Sequence, residues 1–189
     1  MPDPLLPLSR ALVPALEWRA ACASTNSELV ARAADLPDLA VLATDTQTAG
    51  RGRLDRVWST PPGSALAVSV FVRHDALPGI PDPRRLGWLP LLAGLAMTRA
   101  VRALGVTEAG LKWPNDVLVE LGPAPGKLSG ILTELTPHGV VIGAGLNLTA
   151  QADELPVPTA TSLVLQGLTA EQANTDRALA AYLGALLPL

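Results

Sequence analysis

Residues 127–148 have the sequence KLSGILTELTPHGVVIGAGLNL, in which two apolar segments flank a Pro-His-Gly turn at 137–139. Both segments are rich in aliphatic side chains, and the turn has the length of a hairpin connection. The sequence therefore predicts two long strands, at 127–135 and 139–148. Shorter apolar segments at 111–113 and 117–119, around a Pro-Asn-Asp turn, extend this pattern into a meander of strands.

Buried strands and a capped helix are predicted on the N-terminal side of this meander. Ser24 or Thr25 can cap a helix that runs to about residue 34, and a glutamate follows Thr25 at the spacing of a capping box. Nearly continuous apolar runs at 40–44 and 65–72 are typical of strands that are covered on both faces.

Two further helices are predicted. One begins at Asp82 and Pro83, or alternatively at Pro90, and ends near Leu104 before a C-capping glycine. The apolar spacing after Thr175 predicts a final helix. The order of elements predicts an α/β domain of the α+β type, with a mixed, largely antiparallel sheet and helices on one face.

Composition excludes several classes of protein. The chain has 189 residues, a single cysteine and a net charge of −3. The acidic balance argues against binding nucleic acid through a broad basic face, and one cysteine excludes a disulfide framework. The longest apolar stretch, about twelve residues from Leu86, is shorter than the roughly twenty that a membrane span needs. We expect a cytoplasmic protein with no DNA or membrane partner, in which proline-rich residues 1–16 are irregular and 1–23 are too few for a DNA-binding domain.

A glycine-rich loop carries three arginines, Arg51, Arg53 and Arg56, next to Gly50 and Gly52. Glycines leave backbone N–H groups accessible, and guanidinium groups pair with phosphate or carboxylate. The segment matches neither a Walker loop nor a dinucleotide fingerprint. By itself, it fits an anion site, a solvated surface loop or an arginine-glycine contact with RNA.

Polar residues next to the meander strands suggest a second part of the site. Asn115 and Asp116 offer oxygen ligands suited to Mg²⁺ with attached phosphates, although an ordinary Asx turn uses the same residue types. Lys127 is one of only two lysines among 14 basic residues. Gly130 lies inside a predicted strand, which indicates close approach of a ligand or another backbone, and Asn147 follows two further strand glycines.

Five motifs occur in an order that resembles the catalytic domain of bacterial biotin–protein ligases. They are Ser24-Thr25-Asn26, Gln47 with GRGR at 50–53 and Trp58, KWPND at 112–116, KLSGIL at 127–132 and GAGLN at 143–147. The resemblance implies an α/β fold related to class II aminoacyl-tRNA synthetases. It also implies ATP-dependent activation of biotin to biotinyl-5′-AMP, followed by transfer to a lysine of the biotin carboxyl carrier domain of an acyl-CoA carboxylase.

The resemblance also implies a role for most residues of these motifs. The expected catalytic residues are Lys127, Arg51, Arg53 and Asp116. The expected biotin-binding residues are Ser24, Thr25, Asn26, Gln47, Gly50, Arg51, Gly52, Arg53, Lys127 and Gly130. The expected ATP-binding residues are Arg51, Arg53, Trp58, Lys112, Asn115, Asp116 and Asn147, of which Asn115, Asp116 and Asn147 would hold Mg²⁺.

The sequence also departs from the family pattern. Asp55 replaces a glycine of many members, and Ala160 and Thr161 stand where many place an adenine-stacking aromatic side chain. We expect a catalytic domain at 24–189 without the family's C-terminal β-barrel. A non-catalytic binder of biotin or biotinyl-AMP is the alternative. A lipoate–protein ligase is less well supported, because its arginine-glycine-histidine loop is not present.

Overall fold

The computed structural model describes residues 4–76 and 86–189. Within these two ranges, seven strands form one sheet. They are β1 (Ala15–Trp18), β2 (Ala40–Thr44), β3 (Ala65–Arg73), β4 (Ala109–Lys112), β5 (Asp116–Val119), β6 (Gly126–Leu135) and β7 (Gly139–Asn147). Their spatial order is β1-β2-β3-β7-β6-β5-β4. Only β1 and β2 pair in parallel, so the predicted α/β class with a largely antiparallel sheet is confirmed.

The β6–β7 hairpin forms as its sequence predicts. The Thr136 amide donates to the Gly139 carbonyl oxygen (2.8 Å), and the Thr136 hydroxyl accepts from the backbone of His138 and Gly139. In this register Gly130 of β6 lies opposite Gly145 of β7, so two strand positions without a Cβ are adjacent at the centre of the sheet. This gap in the side-chain layer forms the floor of the site described below.

The described residues also form four α-helices: α1 (Pro7–Arg10), α2 (Thr25–Arg32), α3 (Leu89–Leu104) and α4 (Thr175–Leu186). Ser24 is the N-cap of α2, and its hydroxyl accepts from the Ser27 amide. Pro90 lies in the first turn of α3 and Gly105 is its C-cap; the alternative start at Asp82 and Pro83 lies outside the described residues. Within the ranges above, no helix combines the length and apolar character needed to cross a membrane.

The helices cover both faces of the sheet, so the prediction of helices on one face is wrong. Helices α3 and α4 pack on the larger core, which includes Val41 and Val70. Helix α2 packs on the other face, where Leu29 meets Leu42 and Phe71. Neighbouring strand residues point to opposite faces, and the apolar runs of β2 and β3 supply side chains to both cores.

From Pro4 onward the proline-rich N-terminal segment is ordered, contrary to the predicted irregular lead-in. Strand β1 extends the sheet beside β2, and Leu6 and Val13 are buried in the larger core. Helix α1 is fixed to the start of α4, where the Ser9 hydroxyl donates to Asp176 Oδ1 (2.6 Å) and the Ser9 amide donates to the same oxygen (2.9 Å). Prolines are compatible with these contacts because they lie at the first helical position and in the connections.

Candidate active site

One cleft of about 780 Å³ is lined by residues from all five motifs. It lies over the glycine floor of β6 and β7, between the start of α2, the arginine-rich loop and the β4–β5 turn. The predicted site residues that line it are Ser24, Thr25, Asn26, Gln47, Arg51, Gly52, Arg53, Trp58, Lys112, Asn115, Asp116, Lys127, Gly130 and Asn147. Gly50 is not among the lining residues; a Cβ there would collide with the carbonyl oxygen of Trp58.

Uncharged polar groups form one wall, at the start of α2. The Thr25 amide donates to Gln47 Oε1 (2.9 Å), which also lies 3.3 Å from the Thr25 hydroxyl. The buried Ser69 hydroxyl donates to Asn26 Oδ1 (2.6 Å) and lies 2.8 Å from Thr25 Oγ1. These contacts fix the side chains before any ligand binds, because each buried polar group has a protein partner.

Asn26 is held from three directions. Its Nδ2 donates to the Leu132 carbonyl oxygen (3.1 Å) and to Glu134 Oε2 (2.8 Å), while its Oδ1 accepts from Ser69. Its amide group lies against Gly143, where any Cβ would overlap it. Both Nδ2 hydrogens therefore bind protein acceptors. Because these acceptors lie on β6, Asn26 fixes α2 on the sheet and shapes this wall of the cleft.

The arginine loop, residues 50–58, is a small hairpin rather than an irregular segment. The Trp58 amide donates to the Gly50 carbonyl oxygen (2.9 Å), and the Gly52 amide donates to that of Arg56 (2.7 Å). Leu54 and Asp55 at its tip have φ values of 56° and 58°. This left-handed conformation favours glycine, so the tip is strained at two residues with side chains.

Trp58 fills the gap above the glycine floor. A Cβ at Gly145 would lie 2.5 Å from its ring, and a Cβ at Gly130 would lie 3.5 Å from it. The Lys127 ammonium lies 5.9 Å from the centroid of this ring, within range of a cation–π contact. The glycines at 130 and 145 thus leave room for the indole of Trp58. The close approach that the sequence predicted at these strand positions is made by this side chain.

Lys127 and Asp116 form an ion pair inside the cleft. The Lys127 Nζ lies 2.7 Å from Asp116 Oδ1, and both side chains are half-buried. The backbone of Lys127 also pairs with the segment that contains Ala160, through bonds to the Thr159 carbonyl and from the Thr161 amide. No aromatic side chain is present at 160–161, so this wall offers backbone and small side chains.

Two asparagines, Asn115 and Asn147, border the cleft at the end where the KWPND turn lies. Asn115 Nδ2 donates to the Ile131 carbonyl oxygen (2.8 Å), which ties the turn to β6. Asn147 Nδ2 donates to the Thr161 carbonyl oxygen (2.8 Å), whereas its buried Oδ1 has no hydrogen-bond partner within the described part of the chain. An unpartnered buried oxygen is costly unless a ligand supplies a donor or a cation.

The cleft is positively charged although the chain is acidic. Its described walls contain five basic side chains and two acidic ones, in a chain of net charge −3. The basic residues are Arg51, Arg53, Arg56, Lys112 and Lys127, and the acidic ones are Asp116 and Glu120. Such a local excess attracts anionic ligands from solution.

Ser69 and Glu134 are residues that the motifs did not indicate. Glu134 pairs with Arg51 through Oε2, in addition to its bond with Asn26. It follows Gly130 and Leu132 at alternate positions of β6, so all three share one face of the strand. That alternation was the available sequence signal for Glu134; no sequence signal marks Ser69.

Comparison with known proteins identifies the family of this chain. The model of the biotin/lipoate A/B protein ligase family matches residues 21–147. The chain therefore belongs to this family, and the resemblance noted in its sequence is confirmed. It is 45% identical over 156 residues to the biotin–[acetyl-CoA-carboxylase] ligase of Mycobacterium tuberculosis, covering 80% of this chain and 55% of that protein.

Solved structures extend the likeness to the fold. The biotin protein ligase of Aquifex aeolicus in complex with biotin and ATP has a TM-score of 0.70 at 27% identity, over 92% of this chain and 71% of that one. The biotin protein ligase of Leishmania major in complex with biotinyl-5-AMP has a TM-score of 0.70 at 25% identity, over 92% and 73%. These matches confirm the class II synthetase-like fold. The chain spans 55% of the length of its mycobacterial relative.

Proposed function

We propose that this chain is the catalytic domain of a biotin–protein ligase. In the first half-reaction a carboxylate oxygen of biotin attacks the α-phosphorus of ATP, the bond to the β-phosphate breaks, and biotinyl-5′-AMP and pyrophosphate form. In the second, a lysine amine of a biotin carboxyl carrier domain attacks the biotinyl carbonyl carbon. The amide bond forms, AMP leaves with the electrons of the broken C–O bond, and the amine loses a proton.

The convergence of an uncharged polar wall and a cationic wall in one cleft carries this proposal. The wall of Ser24, Thr25 and Gln47 suits the uncharged ring system of biotin, whose ureido group donates and accepts hydrogen bonds. Arg51 and Lys127 line the same cleft and would supply positive charge to the biotin carboxylate and the phosphates. The names of the mycobacterial relative and of the Aquifex and Leishmania complexes support the same substrates.

Electrostatic stabilisation is the main catalytic contribution of these residues. Attack of a carboxylate on a phosphate brings two anions together, so the barrier depends on the positive charge placed around them. Lys127, Arg51 and Arg53 all line the cleft and would supply that charge. Loss of one such group typically costs about 3 kcal/mol, or some hundredfold in rate.

Asp116 is the proposed proton acceptor of the second half-reaction. A lysine amine has an ordinary pKa of ~10.4, so its attack requires a base. The carboxylate of Asp116 is paired with Lys127 in the ligand-free chain. When Lys127 turns to the phosphate of the adenylate, this carboxylate becomes available to the incoming amine.

The residues predicted to hold Mg²⁺ fit an ion that enters with ATP. Asn147 offers a buried oxygen that has no partner among the described residues, and Asp116 offers a carboxylate that lines the same cleft. No group of three acidic, histidine or cysteine side chains in the described residues could hold a metal by itself. Phosphate oxygens and water would supply the remaining ligands, as is usual for Mg²⁺. When bound, the ion would neutralise charge on the phosphates.

The arginine loop is proposed to retain the adenylate. Biotinyl-5′-AMP is a reactive mixed anhydride, so water must be excluded until the acceptor arrives. The loop forms its own hairpin and carries Arg51 and Arg53 over the cleft. It can therefore close on the bound intermediate as a unit.

The test is incubation of the chain with biotin, MgATP and a biotin carboxyl carrier domain, followed by mass spectrometry of the carrier. A carrier heavier by one biotinyl group supports the ligase. Formation of biotinyl-AMP without transfer supports the non-catalytic binder, and activity only when lipoate replaces biotin supports the lipoate ligase. Absence of adenylate with either acid contradicts the proposal.

A further inference from the structure

The carboxylate of Glu134 connects the arginine loop to the wall of the cleft. Its Oε2 accepts from Asn26 Nδ2 (2.8 Å) and pairs with Arg51 Nη2. Glu134 lies 83 residues beyond Arg51 in the chain. We propose that Glu134 is a positioning residue, which holds the arginine loop over the cleft through Arg51.

The Asn26 side of this connection is rigid. Asn26 is 4% exposed, and its amide group is also bound to Leu132 and Ser69. A carboxylate bonded to such a group cannot move far without breaking a buried contact, because a buried donor left without an acceptor is costly. Glu134 is therefore a fixed anion at the edge of the cleft.

The Arg51 side of this connection belongs to the arginine loop. The backbone bonds within residues 50–58 close the loop on itself, from Trp58 to Gly50 and from Gly52 to Arg56. Among the ion pairs in the described ranges, Arg51–Glu134 is the one that joins this loop to the sheet. The side chains of Arg51 and Glu134 are 46% and 25% exposed, so salt can screen their attraction.

The consequence for catalysis rests on the proposed function. A loop already tethered at Arg51 loses less conformational freedom when it closes on biotinyl-AMP than a free loop does. Glu134 thus acts on the intermediate through Arg51, without touching the reacting atoms. Its removal is expected to speed loss of the adenylate rather than to remove a chemical group.

Trypsin cleavage of the ligand-free chain after Arg53 and Arg56 tests the tether directly. We expect Glu134→Gln to raise the cleavage rate about tenfold over wild type. Glu171→Gln removes an equal charge from an exposed turn before α4 and should leave the rate unchanged. Cleavage after Arg51 is not counted, so that Arg51→Gln can be compared on the same two bonds.

The double variant separates a tether from a general structural role. If Glu134 acts through Arg51, then Arg51→Gln should accelerate cleavage as much as Glu134→Gln does, and the double variant should cleave no faster than either. Raising the NaCl concentration to 1 M should accelerate cleavage of wild type but not of Glu134→Gln. Equal rates for wild type and Glu134→Gln, or multiplied effects in the double variant, would overturn the proposal.

A second measurement connects the tether to the intermediate. In single-turnover experiments, Glu134→Gln should release biotinyl-AMP about tenfold faster than wild type, with no further increase when Arg51→Gln is added. Unchanged release in Glu134→Gln would overturn the catalytic consequence. If wild type forms no biotinyl-AMP, the proposed function fails, whereas the trypsin result on the ligand-free chain still decides whether the tether exists.

Discussion

The Lys127 ammonium lies 2.7 Å from the carboxylate of Asp116. Across the cleft, the guanidinium of Arg51 is paired with Glu134 in the same way. Two of the three cations proposed to meet the anionic substrate therefore have a carboxylate partner in the ligand-free protein. This arrangement orients both charges and partly compensates them in the ligand-free protein.

Lys127→Ala should reduce the rate of pyrophosphate release at least about hundredfold, because it removes a cation from the site of charge development. The fold should remain, since the Lys127 backbone bonds to Thr159 and Thr161 do not depend on its side chain. Pyrophosphate release and thermal unfolding should be measured on the same preparation. A folded variant that releases pyrophosphate within twofold of wild type would remove Lys127 from the proposed mechanism.

Gly145→Ala should displace Trp58, because the added methyl group would lie 2.5 Å from the indole. Overpacking of this kind typically costs about 1–3 kcal/mol of unfolding free energy, and it should also weaken biotin binding. The matched control is Gly110→Ala on β4, where a Cβ meets no atom within 4 Å. Urea denaturation of both variants checks the prediction, which equal stabilities would contradict.

Leu54→Gly should stabilise the chain by about 0.5 kcal/mol, although it removes a large apolar side chain. Leu54 is 83% exposed and has a φ of 56°. The stability gained by relieving this backbone strain should therefore exceed the stability lost because glycine is more flexible in the unfolded state. Val57→Gly is the control: Val57 lies in the same loop and is 77% exposed, but its φ is not positive. Destabilisation by both substitutions in urea titrations would show that the tip is unstrained.

Cys22 should react slowly with thiol reagents in the folded protein. Two causes raise the pKa of its thiol from 9.0 to about 11: burial is the larger, and the negative charge of Glu28 is the next. Since the thiolate is the reactive form, the labelling rate should be low at pH 8 and should rise as the pH approaches 11. In urea the rate at pH 8 should increase strongly. Equal rates at pH 8 in folded and unfolded protein would contradict the assigned environment.

The strands and the site motifs were predictable because they depend on local patterns. The apolar runs at 40–44 and 65–72, and the turn at 137–139, lie where the structure forms β2, β3 and the β6–β7 hairpin. The glycines at 130 and 145 indicated close approach to the strands, although not that Trp58 makes it. Such features are set by residues close together in the chain.

What escaped prediction depends on contacts between distant residues. Strand β1 is four residues long and follows prolines, so its pairing with β2 decides its conformation. Strands β2 and β3 present apolar side chains on both faces, so their sequences do not decide which face α2 covers. In the structure α2 packs on the face opposite α3. Glu134 meets Arg51 and Asn26 only in three dimensions, and its neighbours in sequence carry no trace of either contact.

The hydrogen bonds between Ser9 and Asp176 join residues that are 167 positions apart. During synthesis on the ribosome, helix α1 cannot reach its final partner until α4 has been made and has left the exit tunnel. Leu6 and Val13, which flank α1 and are buried in the finished protein, are also made long before α4. This segment is therefore synthesised well ahead of the helix that secures it, which makes the nascent chain a natural client for chaperones that shield apolar segments.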